Sequence, residues 1–247
     1  MSKLIPLNFR PKEERLTQKR VEMLMQYIIY CYEKMLSDGK KYSKSDTLNP
    51  LATKYNLEEY LNERLVEDYL GNWDNRQFYK ENISDNRNID LVFNYEPKQT
   101  YTENRIRKDD FIDIKVNETE LSDIWGKAGI KEQIHLAIEC KVIENGYSEY
   151  VSDIEKMCTR KFNTFRLPFE GQIAYVNNTK YTHNSVSDGI KNNLGKHKVI
   201  KTNQTLTQKN IKSSFEASYL SKHIRNHNNE EFSIYHLLFD YSSIIIN

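Results

Sequence analysis

Apolar residues recur at helical spacing through the first seventy residues and then switch to every second position. In LTQKRVEMLMQYIIYCYEKMLSDG, Leu24, Ile28, Tyr32 and Met35 fall on one helical face, and Gly39 stands where a helix C-terminus favours glycine. NLEEYLNERLVEDYLG predicts a second helix. Asn56 and Glu59 have capping-box spacing, Leu57, Leu61, Leu65 and Tyr69 form the apolar stripe, and Gly71 closes the segment. Period two then predicts strands at RQFYKEN (76–82), RNIDLVFNY (87–95), FIDIKV (111–116) and IHLAIECKVI (134–143). SEYVSDIEKMCTRKF follows as a helix and GQIAYV, from residue 171, as a strand. EASYLSKHIR and EFSIYHLLFDYSSIII, joined by NHNNE, close the chain as a hairpin. Helices flanking a central mixed sheet bury these patterns most economically, so the expected class is α/β or α+β.

The expected organisation is a single domain over 1–247. It comprises an N-terminal helical extension (1–56), a core (57–176), a basic insertion (180–212) and a C-terminal hairpin (215–247). The insertion holds seven lysines against one aspartate. It reads either as solvated surface or as a nucleic-acid contact. Across all 247 residues the formal net charge is only +1, so any grip on a polyanion has to be local, or supplied by a metal or a partner. Cys31, Cys140 and Cys158 have no CxxC spacing and fit a reducing compartment. The first fifteen residues contain no apolar signal-like run, and nowhere does an apolar stretch approach the ~20 residues that span a bilayer. The expectation is a cytoplasmic protein without membrane contact.

Within IHLAIECKVI, Glu139 and Lys141 interrupt an otherwise apolar strand and share a face with His135. An unpaired buried charge costs several kcal/mol, so both groups need partners or a ligand. Two other acid-x-Lys triplets look ordinary. Glu96-Pro97-Lys98 lies in a turn-like stretch. In FIDIKV, Ile112, Ile114 and Val116 take one face and Asp113 and Lys115 the other, as in a half-exposed strand. Asp90, between Ile89 and Leu91, is the upstream carboxylate expected to join Glu139. A second register would combine Asp90 with Asp113 and Lys115. Two carboxylates from neighbouring strands can hold a hard divalent cation, with lysine orienting water or stabilising charge on a phosphate.

The series Asp90 … Glu139-Cys140-Lys141, preceded by an acidic helix and followed by helix and strand, resembles the PD-(D/E)xK, or restriction-endonuclease-like, nuclease superfamily. Ile89 stands where the name-giving pattern has proline. The resemblance implies a restriction-endonuclease-like core and Mg²⁺, with Mn²⁺ as a substitute, held by Asp90 and Glu139. It also implies Lys141 assisting the attacking water and a helix glutamate completing the catalytic set. Glu59, Glu63 and Glu67 are the candidates for that last role, and Glu63 is favoured. The implied activity is hydrolysis of nucleic-acid phosphodiester bonds, DNA rather than RNA, in restriction or anti-phage defence, with homodimerisation or a companion defence subunit assisting. The alternative is a catalytically inactive nucleic-acid-binding or scaffold subunit with the same fold. A purely structural reading pairs Glu139 with Lys141 or Arg160. Finally, Ser221, His223 and Arg225 alternate along one strand face, with His236 on the facing strand. All can donate to an anion, so they are the expected nucleic-acid-binding row.

Overall fold

In the computed structural model, residues 10–48, 56–84, 86–103 and 106–246 are described; the leading segment up to residue 9 lies outside them. Six α-helices accompany twelve strands among these residues. Helix α1 (Arg10–Ser37) leads to strand β1 (Tyr42–Ser43), and α2 (Leu57–Arg64) continues into a π-helical turn, Leu65–Leu70. Next come α3 (Trp73–Phe78), β2 (Leu91–Tyr95), β3 (Lys98–Glu103), β4 (Ile106–Phe111), β5 (Ile114–Glu118) and α4 (Thr119–Lys127). They are followed by β6 (Leu136–Ile143), α5 (Ser148–Thr159), β7 (Lys161–Phe162), β8 (Phe169–Val176) and α6 (His183–Leu194). The last strands are β9 (Thr202–Gln208), β10 (Ser218–Ile224), β11 (Glu231–Asp240) and β12 (Ile245–Ile246).

A seven-stranded mixed sheet, ordered β2-β5-β6-β8-β11-β10-β9, forms the centre. Strand β5 runs antiparallel to both β2 and β6, β6, β8 and β11 run parallel, and β10 and β9 close the far edge antiparallel. The α+β expectation holds at this level. A small sheet, β4-β3-β7, stands apart, and β1 pairs with β12. No helix among the described residues is long and apolar enough to cross a membrane.

Strand alternation divides the core in two. One face carries Leu136, Ile138, Ile173, Tyr175, Leu237 and Phe239 against α1 and the α2 region. Full burial of each such side chain stabilises by roughly 1.5–3 kcal/mol. Helix α1 comes so close that a Cβ on Gly171 would lie 2.9 Å from Met25 Cε and 2.8 Å from Ile138 Cγ1. The opposite face packs Ile143, Ala174, Ile234 and Leu238 against α5 and α6.

Several segments differ from the period-two reading. RQFYKEN is helical: Asn72 accepts hydrogen bonds from the N–H groups of Asp74 and Asn75, capping α3, which continues into a π-helical turn. Phe78 stacks on Tyr30 at 3.9 Å while Tyr79 is buried, so the aromatic pair serves a helix rather than a strand. The basic 180–212 segment contains α6 and β9. Val186, Ile190, Leu194 and Leu206 are buried in the second core, so it is part of the fold rather than appended surface.

Candidate active site

Beyond Ile138, β6 leaves its antiparallel neighbour, because β5 pairs only over Ile114↔Ile138 to Val116↔Leu136. The N–H groups of the odd-numbered residues there serve the β8 ladder, and those of Cys140 and Val142 face the gap. Unpaired backbone donors in a sheet need acceptors, and two carboxylates meet the need. Asp113 Oδ2 accepts from Cys140 N at 2.6 Å, and Glu58 Oε2 accepts from Val142 N at 3.2 Å. The register that pairs Ile114 with Ile138 carries Asp113 to the position opposite Glu139.

Glu58 arrives from the first turn of α2. The capping box occupies its neighbour: Asn56 Oδ1 accepts from Glu59 N at 2.9 Å, and Glu59 Oε2 accepts from Asn56 N at 3.2 Å. Glu58 is left to turn toward the sheet, where Oε1 accepts from Lys141 Nζ at 2.6 Å. Asp153, on α5, lies 3.6 Å from Lys141 Nζ on the other side and also accepts from Lys156 at 2.6 Å. A cleft of about 570 Å³ opens along Glu58, Lys141 and the turn at Glu144–Gly146.

The electrostatics are those of a crowded acidic site. Burial pushes the Asp113 carboxyl up to about 7; the Cys140 N–H works against this and the Glu58 carboxylate adds to it. Glu139 is held well above the usual carboxylate range by burial, then by Asp113 and Asp153, with Arg166 opposing. Glu58 is raised by burial despite Lys141. Burial alone would lower the Lys141 ammonium, but Asp153 and Glu58 outweigh it and keep it above its ordinary value. Lys141 is therefore a fixed cation, suited to orienting water or neutralising charge and not to accepting a proton. Glu139 makes no hydrogen bond or ion pair among the described residues. Arg160, its alternative structural partner, pairs with Asp110 and stacks on Tyr101.

Among the described residues no three His, Cys, Asp or Glu side chains are arranged to hold a metal ion. A Mg²⁺ site needs fewer, since this ion usually retains waters and takes one or two carboxylates plus substrate oxygens. Asp113 and Glu139 fit that demand. Both are oxygen donors, both are desolvated, and both resist ionising without a nearby positive charge.

The structure brings Glu139 and Lys141 together but places Asp90 elsewhere. Asp90 is exposed just before β2, and its backbone pairs with Thr119. Thr119 is six residues beyond Asp113, roughly 20 Å along an extended strand. The carboxylate adjoining Glu139 is Asp113, from the strand read as ordinary. Ile112, Ile114 and Val116 are buried as expected, but the opposite face meets the site instead of open water. Lys115 pairs with Ala137 and not with the cleft, so the second register does not assemble either. Glu63 lies beside Arg64 at 3.1 Å, and Glu67 also pairs with Arg64, at 2.5 Å. Neither meets Lys141; Glu58 does. Its signal was position: the N-cap assignment at Asn56 commits Glu59 to the cap and leaves Glu58 in the first turn.

Ser221, His223, Arg225 and His236 do converge, but inside the protein. Ser221, His223 and His236 have no exposed surface and Arg225 has 4%. Ser221 Oγ lies 2.8 Å from His223 Nε2 and 2.7 Å from His236 Nε2. His236 Nδ1 meets Tyr150 OH at 2.9 Å, and His223 Nδ1 meets Thr202 Oγ1 at 3.1 Å. Arg225 donates to Glu170 at 2.8 Å and to the carbonyls of Leu167 and Met157. The expected surface row is thus a buried network joining β9, β10 and β11 to α5, with no face open to a nucleic-acid backbone. Burial holds both imidazoles neutral, His223 down at about 4 and His236 well below its ordinary value.

No family model, curated protein or solved structure matches the chain.

Proposed function

We propose that the chain is a divalent-metal-dependent nuclease with a restriction-endonuclease-like core, acting on phosphodiester bonds of nucleic acid. The observation that carries this reading is the meeting of Asp113, Glu139 and Lys141 where β5 and β6 separate, beside a cleft. A carboxylate pair that resists ionising, next to a lysine that cannot lose its proton, is poor structural design but a workable site for a cation and a phosphate.

In this reading Asp113 and Glu139 would hold Mg²⁺, with Mn²⁺ as substitute. The ion would make water more acidic and stabilise charge developing on the phosphoryl oxygens. Lys141, which lines the cleft, would orient the attacking water or bind a phosphoryl oxygen. Glu58 and Asp153 hold the lysine charged and in place, so their role is positioning. DNA as substrate and a place in cytoplasmic restriction or anti-phage defence follow from the family resemblance. The net charge of +1 supports a dimer or companion subunit that supplies additional grip.

Cleavage of supercoiled plasmid, single-stranded DNA and RNA, each with Mg²⁺, Mn²⁺ or EDTA, tests the proposal. Metal-dependent cleavage lost in folded Asp113→Asn and Lys141→Ala variants is the expected result. Absence of both cleavage and Mn²⁺ binding would favour the inactive binding or scaffold subunit.

A further inference from the structure

The β3–β4 hairpin leaves the central sheet at a turn where Glu96 takes a left-handed φ of 50°. At its root Ile112 N donates to Pro97 O and Glu96 N to Asp113 O, each at 3.1 Å. With β7 the hairpin forms a three-stranded antiparallel sheet, β4-β3-β7. Alternation gives this sheet two unlike faces. Gln99 and Tyr101 are buried on the inner one, where Arg160 stacks on Tyr101 and pairs with Asp110, the residue opposite Gln99. The outer face turns to solvent. There Thr102 lies between Arg107 and Lys161, Thr100 is opposite Asp109, and Lys98 is opposite Phe111.

The outer face combines surplus charge with an uncovered ring. Phe111 is 57% exposed. Asp109, the carboxylate on this face, is already engaged: it accepts from Lys98 at 2.7 Å and from Thr100 at 2.9 Å. Arg107 and Lys161 are exposed and make no hydrogen bond or ion pair among the described residues. Two positive charges are thus left over here, in a chain whose net charge is only +1. Two strand spacings set Arg107 and Lys161 about 10 Å apart, and Phe111 follows four residues, about 14 Å, further along β4.

We propose that this face binds a single strand of nucleic acid, with phosphates on Arg107 and Lys161 and a base stacked on Phe111. An aromatic ring accepts any base by its π-face while cations track the backbone, a combination suited to unpaired strands. In a duplex the bases are stacked on one another and cannot lie on a ring in a sheet face. Phe111 stands two residues before Asp113, so a strand held along β4 is directed toward Asp113, Glu139 and Lys141. That last step rests on the nuclease reading; the binding face does not.

Fluorescence anisotropy with the full chain in EDTA tests this, using labelled oligothymidylate, oligouridylate and a mixed-sequence DNA duplex. Saturable binding of a single strand, tighter than that of the duplex, is expected, and comparing the two single strands identifies DNA or RNA. Arg107→Gln combined with Lys161→Gln should weaken binding roughly tenfold or more. It should also lower the slope of log affinity against log salt by about 1.4, at about 0.7 per phosphate contact. Phe111→Ala should weaken binding roughly fivefold or more and leave that slope unchanged. Lys196→Gln combined with Lys198→Gln, which removes two exposed lysines after α6, should bind as wild type does. Absence of saturable single-strand binding, duplex binding as tight as single-strand binding, or folded Arg107/Lys161 and Phe111 variants that bind like wild type would overturn the proposal. So would equal weakening by the two charge-removing pairs. The expected binding pattern without cleavage in Mg²⁺ or Mn²⁺ would uphold the face and count against the nuclease reading.

Discussion

Replacing Asp113 by asparagine should stabilise the metal-free protein at alkaline pH while removing its response to metal. The carboxyl is raised from an ordinary 3.8 to about 7. At about 1.4 kcal/mol per pH decade, this disfavours the charged form by on the order of 4 kcal/mol. The sign follows from the direction of the shift. Between roughly pH 4 and 7 the folded state keeps a proton that the unfolded state has lost, so stability falls as pH rises through that window. Asparagine keeps an oxygen for the Cys140 N–H but carries no charge. In EDTA, the variant should match wild type near pH 4 and exceed it by about 2–4 kcal/mol at pH 8, the lower figure allowing for relaxation of neighbouring carboxylates. Urea unfolding across this pH range measures the difference directly. Saturating Mg²⁺ should stabilise wild type at pH 8 and leave the variant unmoved, because a ligand that binds only the folded form stabilises by mass action. A variant less stable than wild type by the same amount at every pH would refute the reasoning, since Asp113 would then be an ordinary hydrogen-bond partner.

Two further predictions use other parts of the molecule. Glu58→Gln should lower metal-dependent cleavage by roughly tenfold or more through loss of Lys141 positioning, whereas Glu63→Gln should change it little; equal losses in both would contradict the placement of Glu58. The neutral imidazoles of His223 and His236 contribute stability that is present above about pH 6.5 and lost as pH falls toward 4, because the unfolded histidines protonate first. Chemical denaturation of His223→Asn should show a flatter acid limb than wild type, by about 3 kcal/mol at most; superimposable limbs would remove the histidines from the account.

The helices around the site were legible because capping and apolar spacing agree in one segment. Asn56, Glu59 and the Leu57–Leu61–Leu65 stripe point to one answer. Glu139 and Lys141 were legible because charges in an apolar run are costly. Asp113 was not, because alternation reports which residues share a face and not what covers that face. The polar side of FIDIKV could have met solvent; separation of β5 from β6 turns it to Cys140 instead. Asp90 misled for the converse reason. Its neighbours Ile89 and Leu91 are buried, but the strand begins only at Leu91 and the aspartate lies outside. The Ser221–His223 row was correctly placed on one face. That face is the floor under α5, a fact set by long-range packing of Tyr150 on His236.

The most direct test of the central claim is Mn²⁺ binding by calorimetry at pH 8 to wild type, Asp113→Asn and Asp90→Asn. Wild type and Asp90→Asn should bind alike, and Asp113→Asn should lose binding. Loss of binding in Asp90→Asn with Asp113→Asn unaffected, or no binding by wild type, would contradict it.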